Sequence, residues 1–118
     1  MKKLLPLACA LFFLASSCEN DDMSVCSDDP VENLSWLRSH IRLLEQSSLA
    51  TYSYVQQAEL FGSTIFIFGN CCPFCNTVTP VYDCQGEVIC YLGGCNGLED
   101  QIKNRKVIWH TDDFVCNL

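Results

Sequence analysis

The sequence predicts an α+β domain in which one N-terminal amphipathic helix packs on a small antiparallel sheet, with disulfides stapling the domain. Apolar residues recur with the period of a helix between residues 30 and 47, and the period then changes to that of strands. Eight cysteines follow residue 25, an even number that permits complete pairing. A sequence with one helix followed by hairpins favours a fold in which the helix packs on the sheet, because the apolar face of the helix and that of the sheet then cover each other.

The first 17 residues have the composition of a cleaved export signal. Lys2 and Lys3 precede an uncharged apolar stretch over residues 4–15, and small residues lead from there to Cys18. This stretch is too short for a permanent transmembrane helix, which takes about 18 residues. The predicted organisation is a leader over residues 1–17, an acidic tether over 18–29 and a single cysteine-rich domain over 30–118.

Residues 14–18, Leu-Ala-Ser-Ser-Cys, resemble a bacterial lipobox, although the leucine usually found three residues before the cysteine is replaced by Ala15. The acidic run over residues 19–22 is similar to the tag that takes some Bacteroidetes lipoproteins to the cell surface. The resemblance implies that Cys18 is acylated and that the protein is exported and held in the bacterial outer membrane by lipid, with possible surface exposure. The alternative is an ordinary signal peptide that leaves Cys18 free or disulfide-bonded.

Charge limits the partners of the mature chain. Without Lys2 and Lys3 the chain keeps five basic side chains against 14 acidic ones, a net charge of −9. Such a surface repels phosphates, so nucleic acid is not an expected partner. The remaining partners are the membrane, reached through the lipid on Cys18, and an extracellular or periplasmic protein or glycan.

The cysteines of the domain predict three or four disulfides, since export places them in an oxidising compartment and a small domain has a limited core. Cys71 and Cys72 are adjacent and are therefore expected to have different partners, and Cys26 is expected to join the end of the tether to the domain. Spacing alone leaves 105 pairings open. The candidates are Cys26, Cys71, Cys72, Cys75, Cys84, Cys90, Cys95 and Cys116.

A zinc site is the alternative, but zinc usually takes two separated Cys-x-x-Cys pairs and only one exists here, so no metal or other cofactor is predicted.

The predicted helix has a clear start. Asp29 is suited to the N-cap, Pro30 to the first helical position, and Glu32 stands where a capping box needs it. The helix is expected to run to about Ser47. Its apolar face consists of Leu34, Leu37, Ile41 and Leu44.

Two hairpins and a last strand are predicted after the helix. The first hairpin joins the alternating segment near Tyr52 to the β-branched and aromatic run over 64–68, across a break at Gly62. The second joins residues 78–83 to 87–92. A short strand over residues 106–109 is expected near the end of the chain.

The turn of the second hairpin is predicted in detail. Asp83 suits the first position of a type I turn, and Gly86 suits the left-handed position of a G1 bulge. This register places Asp83 opposite Glu87, with Val81 opposite Ile89 and Pro80 opposite Cys90. Cys84 and Cys90 are therefore not expected to bond to each other.

Three segments together resemble a family of small Bacteroidetes lipoproteins to which no activity is assigned. They are residues 34–37 in the helix, 82–90 in the second hairpin and 107–109 near the end, and the likeness covers residues 29–109. The resemblance implies location and fold, and no chemistry.

Cys72-Pro73-Phe74-Cys75 is similar to the redox motif of thioredoxin-like proteins, which places its first cysteine at a helix start. The residues that follow here are β-branched and interrupted by Pro80, so a thiol-disulfide redox protein using Cys72 and Cys75 is the alternative function. A base for a cysteine nucleophile would be His40 or His110, both expected at the surface.

Residues 79–84 have a distant likeness to Kazal-type inhibitor loops, which makes an inhibitor-like binding module the second alternative. No catalytic residue is predicted. The leading hypothesis is a non-enzymatic interaction or structural module.

Overall fold

The computed structural model describes residues 26–118. The predicted leader, the predicted acylation site Cys18 and the predicted tether up to residue 25 lie outside the described residues. The elements follow one another as α1 (Pro30–Asn33), α2 (Ser35–Glu45), β1 (Ser53–Leu60), β2 (Ser63–Asn70), β3 (Pro80–Tyr82), β4 (Val88–Tyr91) and β5 (Ile102–His110). The strands form one antiparallel sheet in the order β4-β3-β2-β1-β5, which confirms the α+β class.

The predicted helix is divided in two, so its predicted continuity was wrong. It ends at Glu45 with Gln46 as the C-cap, within two residues of the predicted end near Ser47. Leu34 has an extended backbone, φ −93° and ψ 107°, and separates α1 from α2. Its neighbours are Asn33 and Ser35, whose side chains compete for backbone hydrogen bonds and so favour helix ends.

The capping box is not formed. The backbone N–H of Asp29 donates to the hydroxyl of Ser27 at 3.1 Å, and that of Glu32 donates to the carbonyl of Asp29 at 3.2 Å. Both donors that a capping box would satisfy by side chains are therefore already paired.

One face of the sheet is covered by the helix. Leu37 and Ile41 of α2 are buried against Val55 of β1 and Phe66 and Phe68 of β2. Residues four apart on a helix share a face, so the predicted apolar period is the one used in packing.

The first hairpin has the predicted antiparallel pairing, from Ser53 opposite Asn70 to Leu60 opposite Ser63. Phe61 and Gly62 connect the strands with φ of 52° and 81°, the two positive values that a type I′ turn requires.

The second hairpin confirms the turn but corrects the register. Asp83 receives the N–H of Gly86 on its carbonyl at 3.1 Å, and Gly86 has φ +85°. Beyond Tyr82, which pairs with Val88, the strand β4 has one extra residue, Ile89, so Val81 lies opposite Cys90. The predicted pairs of Val81 with Ile89 and Pro80 with Cys90 were therefore wrong. The bulge turns Cys90 towards the face of the sheet where Cys95 lies.

The last strand is longer than predicted and pairs with β1, at the side of the sheet away from β3. Between β4 and β5 the chain crosses the second face of the sheet, through a short 3-10 turn at Leu98–Gln101. Cys95 is 2% exposed there and packs on a cluster from β1, β2 and β3: Ala58, Leu60, Ile65, Ile67 and Val81. Both faces of the sheet are thus covered. No helix within residues 26–118 is long and apolar enough to cross a membrane.

Candidate functional site

All eight cysteines between residues 26 and 118 are bonded in four disulfides. The pairs are Cys26–Cys84, Cys71–Cys116, Cys72–Cys75 and Cys90–Cys95. The adjacent cysteines do have different partners, and Cys26 does join the end of the predicted tether to the domain. This number of disulfides is consistent with a protein that folds outside the cytoplasm.

Three of the disulfides hold parts of the fold together. Cys26–Cys84 joins the segment before α1 to the turn between β3 and β4, and Cys71–Cys116 joins the end of β2 to the C-terminal tail. Cys95, bonded to Cys90, lies within the core. These bonds stabilise contacts between segments that are distant in sequence or buried.

The Cys72–Cys75 disulfide is different, because it closes a tight turn and joins no two elements. Its Cα atoms are 5.4 Å apart across a separation of three residues. The turn follows β2 directly, and the N–H of Cys72 donates to the side-chain carbonyl of Asn70 at 2.8 Å. Phe74 lies at the tip and is 92% exposed. We call residues 72–75 the disulfide turn.

The disulfide turn lacks the geometry that activates a redox cysteine. The next element after it is the strand β3, which begins at Pro80, and no helix starts at Cys72. A helix N-terminus lowers a thiol pKa through its dipole and free N–H groups, and neither is supplied here.

A groove begins beside the disulfide turn. It lies between α2, the ends of β2 and β3, and the segment after Cys75, with a volume of about 390 Å³. The walls come from His40, Leu43, Leu44, Ser47, Leu49, Ser53, Phe68, Gly69, Asn70, Thr77, Val78, Pro80 and Tyr82. No Asp, Glu, Lys or Arg is among them. Leu43 and Val78 at its rim are 68% and 67% exposed. We call this the uncharged groove.

The floor of the uncharged groove is aromatic. The ring of His40 meets those of Tyr82 and Phe68 edge to face, with centroids 5.2 and 5.4 Å away. Burial of the phenol and then the neighbouring Tyr91 raise the pKa of Tyr82. His40 is half-buried: it contacts three aromatic side chains, including Trp36, and still lines the groove.

Trp36 fixes the position of this aromatic floor. Its indole N–H donates to the carbonyl of Cys84 at 2.8 Å, and its ring packs on Phe66 and Tyr82. A Cβ added to Gly86 would lie 2.7 Å from that ring. Gly86 is therefore required both by the left-handed backbone and by the close approach of Trp36.

A carboxylate organises the loop on the second face of the sheet. The side chain of Glu99 accepts the N–H groups of Gly93 at 2.9 Å and Cys95 at 3.0 Å. Hydrogen bonds from its own N–H and from those of Cys95 and Gly93 lower the pKa of Glu99. This role is structural, because the carboxylate is occupied by the backbone.

The other chemically suggestive residues are not brought together. His110 stacks on Phe114 with centroids 4.5 Å apart, and its Nδ1 lies 2.7 Å from the carbonyl of Thr111. Asp112 and Asp113 are exposed in the tail. Within residues 26–118, no three His, Cys, Asp or Glu side chains are placed to hold a metal ion.

A larger groove, about 610 Å³, lies between the start of α1 and β5. Its walls mix carboxylates such as Asp28 and Asp29 with Lys106 and apolar side chains such as Ile108, so it offers no single recognition chemistry. Residues 72–75 were singled out from the sequence as a redox-like motif, but the uncharged groove was missed, although one signal was present: residues 60–82 contain no Asp, Glu, Lys or Arg.

The fold and this site define a class of small α+β domain, held by disulfides and carrying an uncharged, aromatic-floored groove. Comparison with known proteins finds no family model, no curated protein and no solved structure that matches the chain.

Proposed function

We propose that this chain is an exported lipoprotein, anchored in the outer membrane through Cys18, whose domain is a non-enzymatic interaction module. The leader composition, the lipobox-like residues 14–18 and the four disulfides support export. The interaction surface is the uncharged groove together with the disulfide turn.

One observation carries the proposal of binding. In a chain with 14 acidic side chains, the groove and the turn beside it are free of charge and rich in exposed apolar side chains. Exposed apolar surface lowers solubility, and its concentration beside a groove of ligand size is typical of a binding site.

The position of Cys26 sets the direction in which this surface points. Cys26 is bonded to Cys84 in the β3–β4 turn, and that turn lies beside the start of β2 because Phe66 pairs with Tyr82. The disulfide turn follows the end of β2, about 20–25 Å away along the strand. The disulfide turn is therefore at the end of the sheet opposite Cys26, and the uncharged groove extends from that end as far as Tyr82.

The first experiment tests export and acylation. The full chain is expressed in a bacterium that processes lipoproteins, extracted from membranes and analysed by intact mass. We expect a product that starts at Cys18, carries at least two acyl chains and has eight cysteines in four disulfides. A Cys18→Ser chain should leave the membrane fraction. A product that retains Met1, or an unmodified Cys18, would contradict the anchoring proposal.

The second experiment tests the groove with N-phenyl-1-naphthylamine, an uncharged dye whose emission rises in apolar surroundings. We expect emission to rise with the native chain and to fall at least several-fold when both rim residues are replaced, in a Leu43→Gln, Val78→Gln chain. Both side chains are largely exposed, so the fold tolerates the changes. Ser39→Gln, on the same helix outside the groove, is the matched control. Equal emission from all three chains would contradict the proposal.

The half-buried, bonded Cys72–Cys75 pair, closed within a surface turn, favours a second candidate, an extracytoplasmic thiol-disulfide protein. In that case the native chain would reduce insulin disulfides in the presence of a dithiol, and a Cys75→Ser chain would trap mixed disulfides through Cys72. The interaction module predicts no turnover.

An inhibitor-like module has less support from the geometry, because Pro80–Tyr82 forms the strand β3 inside the sheet. A screen against serine proteases tests it directly.

A further inference from the structure

We propose that the partner of the uncharged groove is a second copy of this chain, with Phe74 of each copy seated in the groove of the other. The inference rests on the proposed interaction surface and names its occupant. It follows from the placement of the projecting side chain, the groove and the charges.

The disulfide turn presents Phe74 outwards. With Cys72 and Cys75 bonded across 5.4 Å, Pro73 and Phe74 occupy the tip of a closed turn, and the phenyl ring is 92% exposed. The backbone that carries this ring is preorganised, because the closed turn has less conformational freedom to lose on binding than an open loop. Rigid exposed aromatic side chains are the usual anchors of protein interfaces.

The projecting ring and the groove are neighbours. The groove wall begins at Thr77, three residues after Phe74, and continues through Val78. When a projection and its receptor lie side by side, a two-fold axis between two copies forms both contacts at once and closes the assembly as a dimer.

The charge distribution fits a second copy, because a partner with the same net charge needs a contact surface free of carboxylates. Two copies of a chain with a net charge of −9 repel each other wherever their carboxylates meet. A contact surface without Asp or Glu avoids that repulsion, and the groove and the disulfide turn form such a surface. Anchoring by lipid in one membrane raises the local concentration of copies, so that a modest contact area is sufficient.

Photo-cross-linking of the full chain in intact cells tests the proposal. p-Benzoylphenylalanine is placed at Phe74 and, in a second chain, at Leu43 on the groove rim. Irradiation should give a species of twice the monomer mass from both chains. Its peptide map should join residue 74 of one copy to groove residues of the other. Phe61, which is 71% exposed in the β1–β2 turn, is the control position and should give no dimer.

A second-site change tests the contact itself. Leu43→Glu places a carboxylate at each groove rim, and we expect it to reduce the residue-74 dimer roughly thirtyfold, the loss at which an interface hot spot is recognised. Ser39→Glu on the same helix lies outside the groove and should leave the yield unchanged.

The remaining outcomes overturn the inference. These are monomers alone from both probe positions, adducts to another protein or to lipid, and dimers joined outside the groove. If the dye of the previous section still enters the groove while no dimer forms, the interaction module stands and only self-association is refuted.

Discussion

Replacement of Gly86 by alanine tests the packing that supports the groove. The residue has φ +85°, and an added Cβ would meet atoms of the Trp36 ring at 2.7 and 2.8 Å. Left-handed backbone costs an alanine about 1–2 kcal/mol. Displacing a packed ring costs about 1–3 kcal/mol more, since it strains the core and weakens the indole hydrogen bond to Cys84. We expect Gly86→Ala to lower the free energy of unfolding by about 2–5 kcal/mol.

A matched glycine separates the two contributions. Gly62 has φ +81°, and an added Cβ would have no atom within 4 Å, so Gly62→Ala carries the backbone cost alone. Both variants are unfolded in urea with their disulfides intact and followed by far-ultraviolet circular dichroism. In a Trp36→Ala background the excess cost of Gly86→Ala should disappear. Equal losses from Gly86→Ala and Gly62→Ala in the native background would refute the reasoning.

Three further outcomes are expected. The pKa of Glu99 is lower in the folded protein than its ordinary value of 4.5, so the ionised carboxylate stabilises the fold at pH values above 4.5. This stability is lost as the pH falls through the pKa of the folded protein. Glu99→Gln should therefore weaken the fall in urea midpoints between pH 7 and pH 3. Gly69→Ala should cost about 1–3 kcal/mol in the same unfolding assay, because its methyl group would overlap the ring of Tyr54; an unchanged midpoint would contradict this contact. Replacing Cys72 and Cys75 together by serine should cost only about 2 kcal/mol, against about 4 for the disulfide that spans 58 residues, because the loop is short; a larger loss in urea unfolding would show that the turn supports the fold.

Local patterns in the sequence were sufficient for the elements whose geometry depends on neighbouring residues. The turn is the clearest example, since Asp83 and Gly86 specify it through their own side chain and backbone preferences. The helix was located but not its break, because Leu34 continues the apolar period while Asn33 and Ser35 weaken the helix around it.

Features that depend on distant residues were not predictable in the same way. The bulge at Ile89 exists where Cys90 must meet Cys95, and the length of β5 depends on its pairing with β1. The secondary-structure propensities of neighbouring residues carry no information about this disulfide or about this strand pairing. Pairing of eight cysteines has too many solutions for spacing to select one.

The candidate site was hidden from the sequence for a related reason. Its walls come from α2, β2 and the segment around Val78, which are far apart along the chain. For the groove, only the lack of charge over residues 60–82 was visible beforehand, and such a run is equally typical of a buried core. Exposure of Phe74 follows from the closed turn, which spacing could not establish.

The two long-range disulfides also set how far the protein can be stretched. Their loops overlap, so a covalent path leads from Cys26 across to Cys84, back along thirteen residues to Cys71, and across to Cys116. A pull applied between Cys26 and Cys116 is therefore borne by this short path, which extends to about 50 Å including its disulfides, whereas the ninety residues between them would reach about 300 Å if unlinked. A load applied across these two cysteines thus leaves most of the chain between them under no tension.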